Sequence, residues 1–344
     1  MLKFSIILFL FLLSDCSQTK IEKSDSIKLI DEKNYVLDPN FKVGDARRYG
    51  IYPDSTSVNN RKHPNTGKYK IQTLIDFAEE SQTTINFPKG NYGVNLLIDS
   101  RENINFHFNK SGFSLIHITN AKGKESKNIN LRGALIVYNR FGTYNSSNII
   151  LDTLILKSNP DKSLENLRNK GCHIYKGTKN LKIEYLEVND LGSGSKDYRT
   201  NHAALAIDGQ GDNPVGINIK DVLIRSSDRH GVYITGSDHV IDNIVVEKYA
   251  QGDTEDMVGM QDATMDDALV LSGLWVNRCN NCNFKNVKIS TKYSENGFPL
   301  KLDEGKVGMP TIIENLELDI KYQDSLIVDD VLTNVIVKKL KYKE

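Results

Sequence analysis

The stretch NHAALAIDGQGDNPVGINIKDVLIRSSDRHGVYITG, residues 201–236, decides the fold. It contains two copies of one short pattern, Ala204-Leu-Ala-Ile-Asp-Gly209 and Gly231-Val-Tyr-Ile-Thr-Gly236. Each copy is a small residue, an apolar one, any residue, a second apolar one, any residue, then Gly. Apolar positions two apart share one face of a half-buried strand, and the glycine ends it in a turn. Between the copies lies INIKDVLI, residues 217–224, a second strand. Strand, turn, strand, turn, with no helical period between them, is one coil of a solenoid.

Working outward from this stretch, one signature recurs: a polar residue followed by apolar-x-apolar-x-x-apolar-x-apolar. Its copies begin at Asn103-Ile104, Asn128-Ile129, Asn148-Ile149, Asn180-Leu181, Gly216-Ile217, His239-Val240, Asn281-Cys282, Thr311-Ile312 and Asn334-Val335. The spacing runs from 20 residues (Ile129 to Ile149) to 42 (Val240 to Cys282). A repeat of that size built only of strands and turns predicts an all-β, right-handed parallel β-helix. Leucine-rich repeats need a regular Leu and Asn frame that this chain lacks. The turn asparagines are placed to stack as a ladder from coil to coil.

Residues 71–80, IQTLIDFAEE, carry Ile71, Leu74, Ile75 and Ala78 at helical spacing with acidic residues opposite. A short helix there would cap the open hydrophobic end of the solenoid. The chain therefore divides into residues 1–26, a signal and tether; 27–95, the cap and first strands; and 96–344, the β-helix.

Lys+Arg and Asp+Glu are balanced at 44 each, so no net field points to nucleic acid or an anionic membrane. A hydrophobic content of 39% suits a solenoid that exposes much of its surface. At the N-terminus Lys3 precedes an apolar run, residues 4–13, of signal-peptide length and too short to span a bilayer. Leu13-Ser14-Asp15-Cys16 resembles the lipobox of bacterial lipoproteins, which implies lipidation at Cys16; Asp15 departs from the usual small residue. The expectation is export to the periplasm or to the outer membrane as a lipoprotein. Three other cysteines remain, Cys172, Cys279 and Cys282. Cys279-Asn-Asn-Cys282 has the spacing of a zinc half-site or a redox motif. With no second pair and no βαβ context, the favoured reading is two small apolar residues stacked in a turn.

The longer repeats hold inserted loops, at residues 158–170, 190–200 and 250–265, and loops on a rigid scaffold are where binding usually resides. Aligning residues 204–209, 231–236, 268–273 and 299–303 gives an outward column of Ala206, Tyr233, Val270 and Lys301. The next outward column is Asp208, Thr235, Ser272 and Asp303. His202, then Arg229 and His230, then Asp266 and Asp267, stand just before these strands, and Tyr198 and Arg199 lie in an inserted loop. The register of residues 171–177 is open by one residue, so His173, Tyr175 and Lys176 sit at the margin of this strip. Any one of these polar residues is at home on an outward face. As a group, Arg, His and Tyr are not what fills a plain polar face. His63, His107 and His117 read as structural, and His239 as a turn residue.

The chain resembles the right-handed parallel β-helix proteins of the pectate-lyase-like superfamily. The likeness rests on Gly44-Asp-Ala-Arg-Arg-Tyr-Gly50, the helix at 71–80 and Phe87-Pro-Lys-Gly-Asn-Tyr92 as its N-terminal part, and on Arg229-His-Gly-Val-Tyr-Ile-Thr-Gly236 as a coil of its carbohydrate-active members. That superfamily includes lyases, hydrolases, epimerases and adhesins. Of the polygalacturonase-type motifs only a partial echo, Arg229-His230-Gly231, is present, so a hydrolase using paired Asp is the lesser alternative. A non-catalytic carbohydrate-binding β-helix is the other. The mixed cluster best suits β-elimination on a uronic acid. Arg229 and Lys301 would neutralise the carboxylate, His202 or His230 would take the C5 proton, and Tyr233 would act as acid or as base. Arg199, Tyr198, Asp208 and Asp303 would bind substrate. The C4 leaving group is a sugar in a polysaccharide lyase and water in an oligosaccharide dehydratase. The expected partner is an anionic polysaccharide or oligosaccharide; no cofactor is required, and Ca²⁺ is the ion the acidic residues would suit.

Overall fold

The computed structural model describes residues 31–159, 169–191, 203–251, 271–290, 297–303, 305–319, 327–329 and 334–343. Their strands pair in parallel, each with the strand one coil before and one coil after. One set runs Lys179–Val188, Asn218–Ile224, Val240–Val246, Asn283–Ser290 and Thr311–Asp319. The other runs Cys172–Ile174, Ala203–Ile207, His230–Ser237, Leu271–Asn280 and Gly297–Asp303. In the early coils two long strands, Glu102–Thr119 and Ser126–Thr143, pass through both sets with register shifts at the corners. This is the parallel β-helix that the repeat foretold.

Alternation makes the core. In Asn218–Ile224, Ile219, Val222 and Ile224 point inward and are buried, while Lys220 and Asn218 are exposed. Aliphatic residues stack on aliphatic residues from coil to coil: Ile183, Ile219, Ile241 and Phe284 share one rung position. At the N-terminal end the helix Lys70–Ser81 buries Ile71, Leu74, Ile75, Phe77 and Ala78 over the first coils, as its spacing predicts. Its Asp76 and Glu79 hold Arg101, which anchors the cap electrostatically to the coil below.

The asparagine ladder forms. Asn128 Nδ2 donates to Asn103 Oδ1 (3.0 Å), Asn148 to Asn128 (3.2 Å) and Asn180 to Asn148 (3.3 Å). Each ladder residue has a left-handed φ between 53° and 57°, a conformation Asn tolerates better than most side chains. The register corrects two frames of the sequence reading. The ladder position of its coil is Asp238 (φ 59°), not His239, and Asn281 donates to Asp238 Oδ1 at 2.6 Å. Likewise Val335 pairs with Thr311, which moves the start of that copy to Pro310. The cause is the same in both: His239 and Thr311 are polar residues in an inward position, each 0% exposed, where the other coils carry Ile, Leu or Cys. His239 is tolerated because Nδ1 accepts the Ile217 N–H (3.1 Å) and Nε2 donates to the Thr235 carbonyl (2.9 Å).

Cys279 and Cys282 are bonded to each other, with Cα atoms 6.1 Å apart, which replaces the reading of two unlinked apolar residues. His239 lies beside them, but its ring nitrogens serve the backbone and both sulfurs are in the disulfide, so this group offers no metal site. Cys172 is a buried free thiol, and burial pushes its pKa up. Among the described residues no helix is long and apolar enough to cross a membrane. Cys16 and the signal segment lie outside the described residues.

Candidate functional site

The strands that begin at Cys172, Ala203, His230, Leu271 and Gly297 present two outward columns side by side. The first is fixed by register: His117, Gly142, His173, Ala206, Tyr233, Trp275 and Lys301. One residue pair further along each strand the second reads Tyr175, Asp208, Thr235, Asn277 and Asp303. Both differ from the sequence alignment in one coil. Leu274 pairs with Val232, so Gly273 takes the place of Gly231 at the start of the pattern rather than that of Gly236 at its end. Trp275 and Asn277 therefore take the places expected for Val270 and Ser272. His173 and Tyr175, left at the margin by the open register, stand fully in the strip.

The columns are linked by diagonals, in which His173, Tyr233 and Trp275 of the first reach the second column one coil on. His173 Nε2 lies 3.2 Å from Asp208 Oδ1, Asn277 Nδ2 donates to the Tyr233 hydroxyl at 2.7 Å, and Trp275 Nε1 donates to Asp303 Oδ2 at 2.5 Å. Parallel rungs about 4.8 Å apart bring such neighbours within reach, which sequence distance alone does not show. Asp303 is thus engaged by the indole, and Lys301 Nζ sits 4.0 Å above the Trp275 ring. Tyr233 and His230 flank the same ring, at 4.7 and 5.0 Å between centroids.

A cleft of about 470 Å³ opens along these columns, lined among others by His173, Tyr175, Asp208, Gln210, Tyr233 and Asn277, with exposed Arg278 at its rim. The wall formed by residues 209–213 turns tightly: a Cβ on Gly209 would lie 2.2 Å from the Asp212 carbonyl oxygen. That turn carries Gln210 to within 3.3 Å of the Tyr175 hydroxyl. Tyr175 in turn stacks on Tyr144 of the preceding coil, centroids 5.9 Å apart. Aromatic faces and hydrogen-bonding groups in one open groove suit a polar ligand with apolar ring faces.

Protonation states follow from the partners. Arg140 Nη2 lies 2.6 Å from His173 Nδ1, and a guanidinium only donates, so Nδ1 accepts. His173 then carries its proton on Nε2 and donates it to Asp208. Burial, with the Arg140 charge next in size, lowers His117 to about 4 and keeps that ring neutral. Burial also lowers the Arg140 pKa, with Asp208 opposing the shift. Tyr233 is raised to about 12, chiefly by burial and further by Asp208 and Asp303, so its phenol is protonated at neutral pH. His230 Nδ1 accepts the Ser272 N–H at 2.9 Å, which leaves the imidazole proton on Nε2. In that tautomer His230 is a hydrogen-bond donor, and the role of base expected for it does not fit.

The other expected residues fall as follows. Arg229 is buried just before the strand His230–Ser237 and is not among the described residues lining the cleft. His202, Tyr198, Arg199, Asp266 and Asp267 lie outside the described residues. His63 is structural, as expected, its Nε2 bonded to the Tyr35 carbonyl at the cap. His117 is not merely structural: it lies across Gly142, where a Cβ would meet its ring at 3.0 Å, beside Arg140 and His173. The sequence signal that would have found Trp275 and His173 was the register of their two strands: the His173 copy has two glycines from which a frame can be set, and the single Gly273 of the Trp275 copy can be read at either end of the pattern. Comparison with protein-family models, with curated proteins and with solved structures finds no match, so the function is argued from this geometry.

Proposed function

We propose that the chain is a carbohydrate-active carbon–oxygen lyase that acts by β-elimination on a uronic-acid-containing saccharide. The observation that carries this reading is the pairing, in one cleft, of a protonated phenol, Tyr233, with a carboxylate, Asp208. In the reaction the C5–H and C4–O bonds break and a C4=C5 double bond forms. Asp208 takes the C5 proton, and His173, its tautomer set by Arg140, orients it. Tyr233 gives its proton to the departing C4 oxygen and Asn277 fixes that hydroxyl. Lys301 and Arg278 offset the charge of the sugar carboxylate, which makes C5–H acidic enough to leave. His202 is the alternative base, and the leaving group is a sugar or water.

A paired-carboxylate hydrolase is less well supported. Asp208 and Asp303 stand three rungs apart, about 14 Å along the helix axis, whereas hydrolases need their carboxyl groups within roughly 5 to 9.5 Å. The test is ultraviolet absorbance of the conjugated product, with uronate polymers and separately with saturated uronate oligosaccharides. A rise with wild type that Tyr233→Phe lowers at least tenfold supports elimination. New reducing ends without absorbance would overturn it, and binding without any product would leave a carbohydrate-binding module.

A further inference from the structure

Beyond fixing the His173 tautomer, Arg140 has features that the elimination chemistry leaves unexplained. It sits on the strand Ser126–Thr143, one coil before His173, and is half-buried. Among the described residues it makes no ion pair, its side-chain hydrogen bond goes to the His173 imidazole, and its Nε is buried with no acceptor. The carboxylate closest in the network, Asp208, is separated from it by the His173 imidazole. His117 on its other side is neutral and cannot compensate it. A guanidinium taken partly out of water without a counter-ion is costly unless an anion arrives to meet it. Tyr175 of the cleft wall stacks on Tyr144 of the preceding coil, the coil that carries Arg140.

We propose that Arg140 is the anchor of an anionic subsite, holding a carboxylate or sulfate of a sugar unit on the N-terminal side of the reacting one. Tyr144 and Tyr175 form the platform for that unit's ring. A guanidinium fork suits either oxyanion, since both present paired oxygens. Gly142 is part of the device: a Cβ there would lie 3.0 Å from the His117 ring, so the glycine leaves that ring its place next to the coil that carries Arg140. The subsite makes the protein selective for charge at two places along the chain rather than only at the reacting sugar.

The inference rests on the cleft being a saccharide site, and the experiment separates the two. Trp275 is the single tryptophan of the chain, so its fluorescence reports binding in the cleft without a label. Wild type, Arg140→Gln and Arg140→Lys would be titrated with tetrasaccharides of galacturonate, mannuronate and glucuronate, with the same sugars reduced to alcohols at the carboxyl, and with a sulfated glucuronate tetrasaccharide. The expected result is wild-type preference for an acidic sugar over its reduced form. Arg140→Gln should lose that affinity 10- to 100-fold with little change for the reduced form, and Arg140→Lys should lie between. A sulfated sugar favoured over the unsulfated one would assign the anion as sulfate. Equal weakening of acidic and reduced sugars by Arg140→Gln overturns the anionic subsite and leaves the saccharide reading in place. No binding by any sugar overturns both. Should Arg140→Gln fail to fold, the wild-type comparison alone still decides: no preference for charge refutes the proposal.

Discussion

His239 makes the stability of this protein depend on pH in a way that can be calculated from its surroundings. The side chain is 0% exposed and burial lowers its pKa to about 4, from 6.5 in an unfolded chain. A folded pKa below the unfolded one means that the unfolded chain binds the proton first. Stability is therefore full above pH 6.5 and is lost as pH falls toward 4. The displacement is worth roughly 3 kcal/mol in total, of which roughly 2 kcal/mol is gone by pH 5. Structurally, the second proton must go on Nδ1, which already accepts the Ile217 N–H. Protonation thus costs that bond as well as the burial of a charge. The perturbation is His239→Gln, whose amide can accept from Ile217 and donate to Thr235 but does not titrate. The assay is urea unfolding followed by circular dichroism at pH 7.5 and pH 5.0, for wild type and variant. The variant should be less stable at pH 7.5 but should lose roughly 2 kcal/mol less than wild type on acidification. His117 shifts in the same direction and continues to contribute in both proteins. An identical acid loss in wild type and variant would refute the assignment of His239 as a buried neutral imidazole.

Three further outcomes are expected. Asp208→Asn should reduce elimination at least 100-fold while leaving the melting temperature within a few degrees, measured by product absorbance and by calorimetry; unchanged turnover would exclude Asp208 as the base. With Tyr233 raised to about 12, the rate should show no loss assignable to that phenol up to pH 10, and an alkaline limb that disappears in Tyr233→Phe below that pH would contradict its protonated state. In the ladder, Asn148 donates to Asn128 and accepts from Asn180, so Asn148→Gly, which keeps the left-handed backbone, should cost roughly 1–2 kcal/mol of unfolding free energy. No measurable loss would mean that water replaces both bonds at no cost.

The sequence by itself determined the class of fold, because a β-helix is written locally. Alternation within INIKDVLI, the glycine that ends each short strand, and the polar residue opening each copy all act over a few residues, and the coil repeats them. The helix over Ile71 to Glu80 was equally legible from its apolar spacing. Frame errors entered where an inward position carries a polar side chain, as at His239 and Thr311, because the pattern treats polarity as exposure. Only the backbone partners of His239 show why it is allowed inside. The site was partly legible: Tyr233, Lys301, Asp208 and Asp303 were placed in their columns by the repeat. Trp275, Asn277 and His173 were not: Gly171 and Gly177 allow two frames around His173, Gly273 can open or close its pattern, and the sequence does not choose. The charge states were beyond the sequence altogether. That Arg140 faces His173, that His173 therefore hands its proton to Asp208, and that Asp303 is held by an indole are contacts between coils, 28 to 35 residues apart in the chain. Solenoid stacking brings them to hydrogen-bond distance, and only the tertiary register decides which side chain meets which.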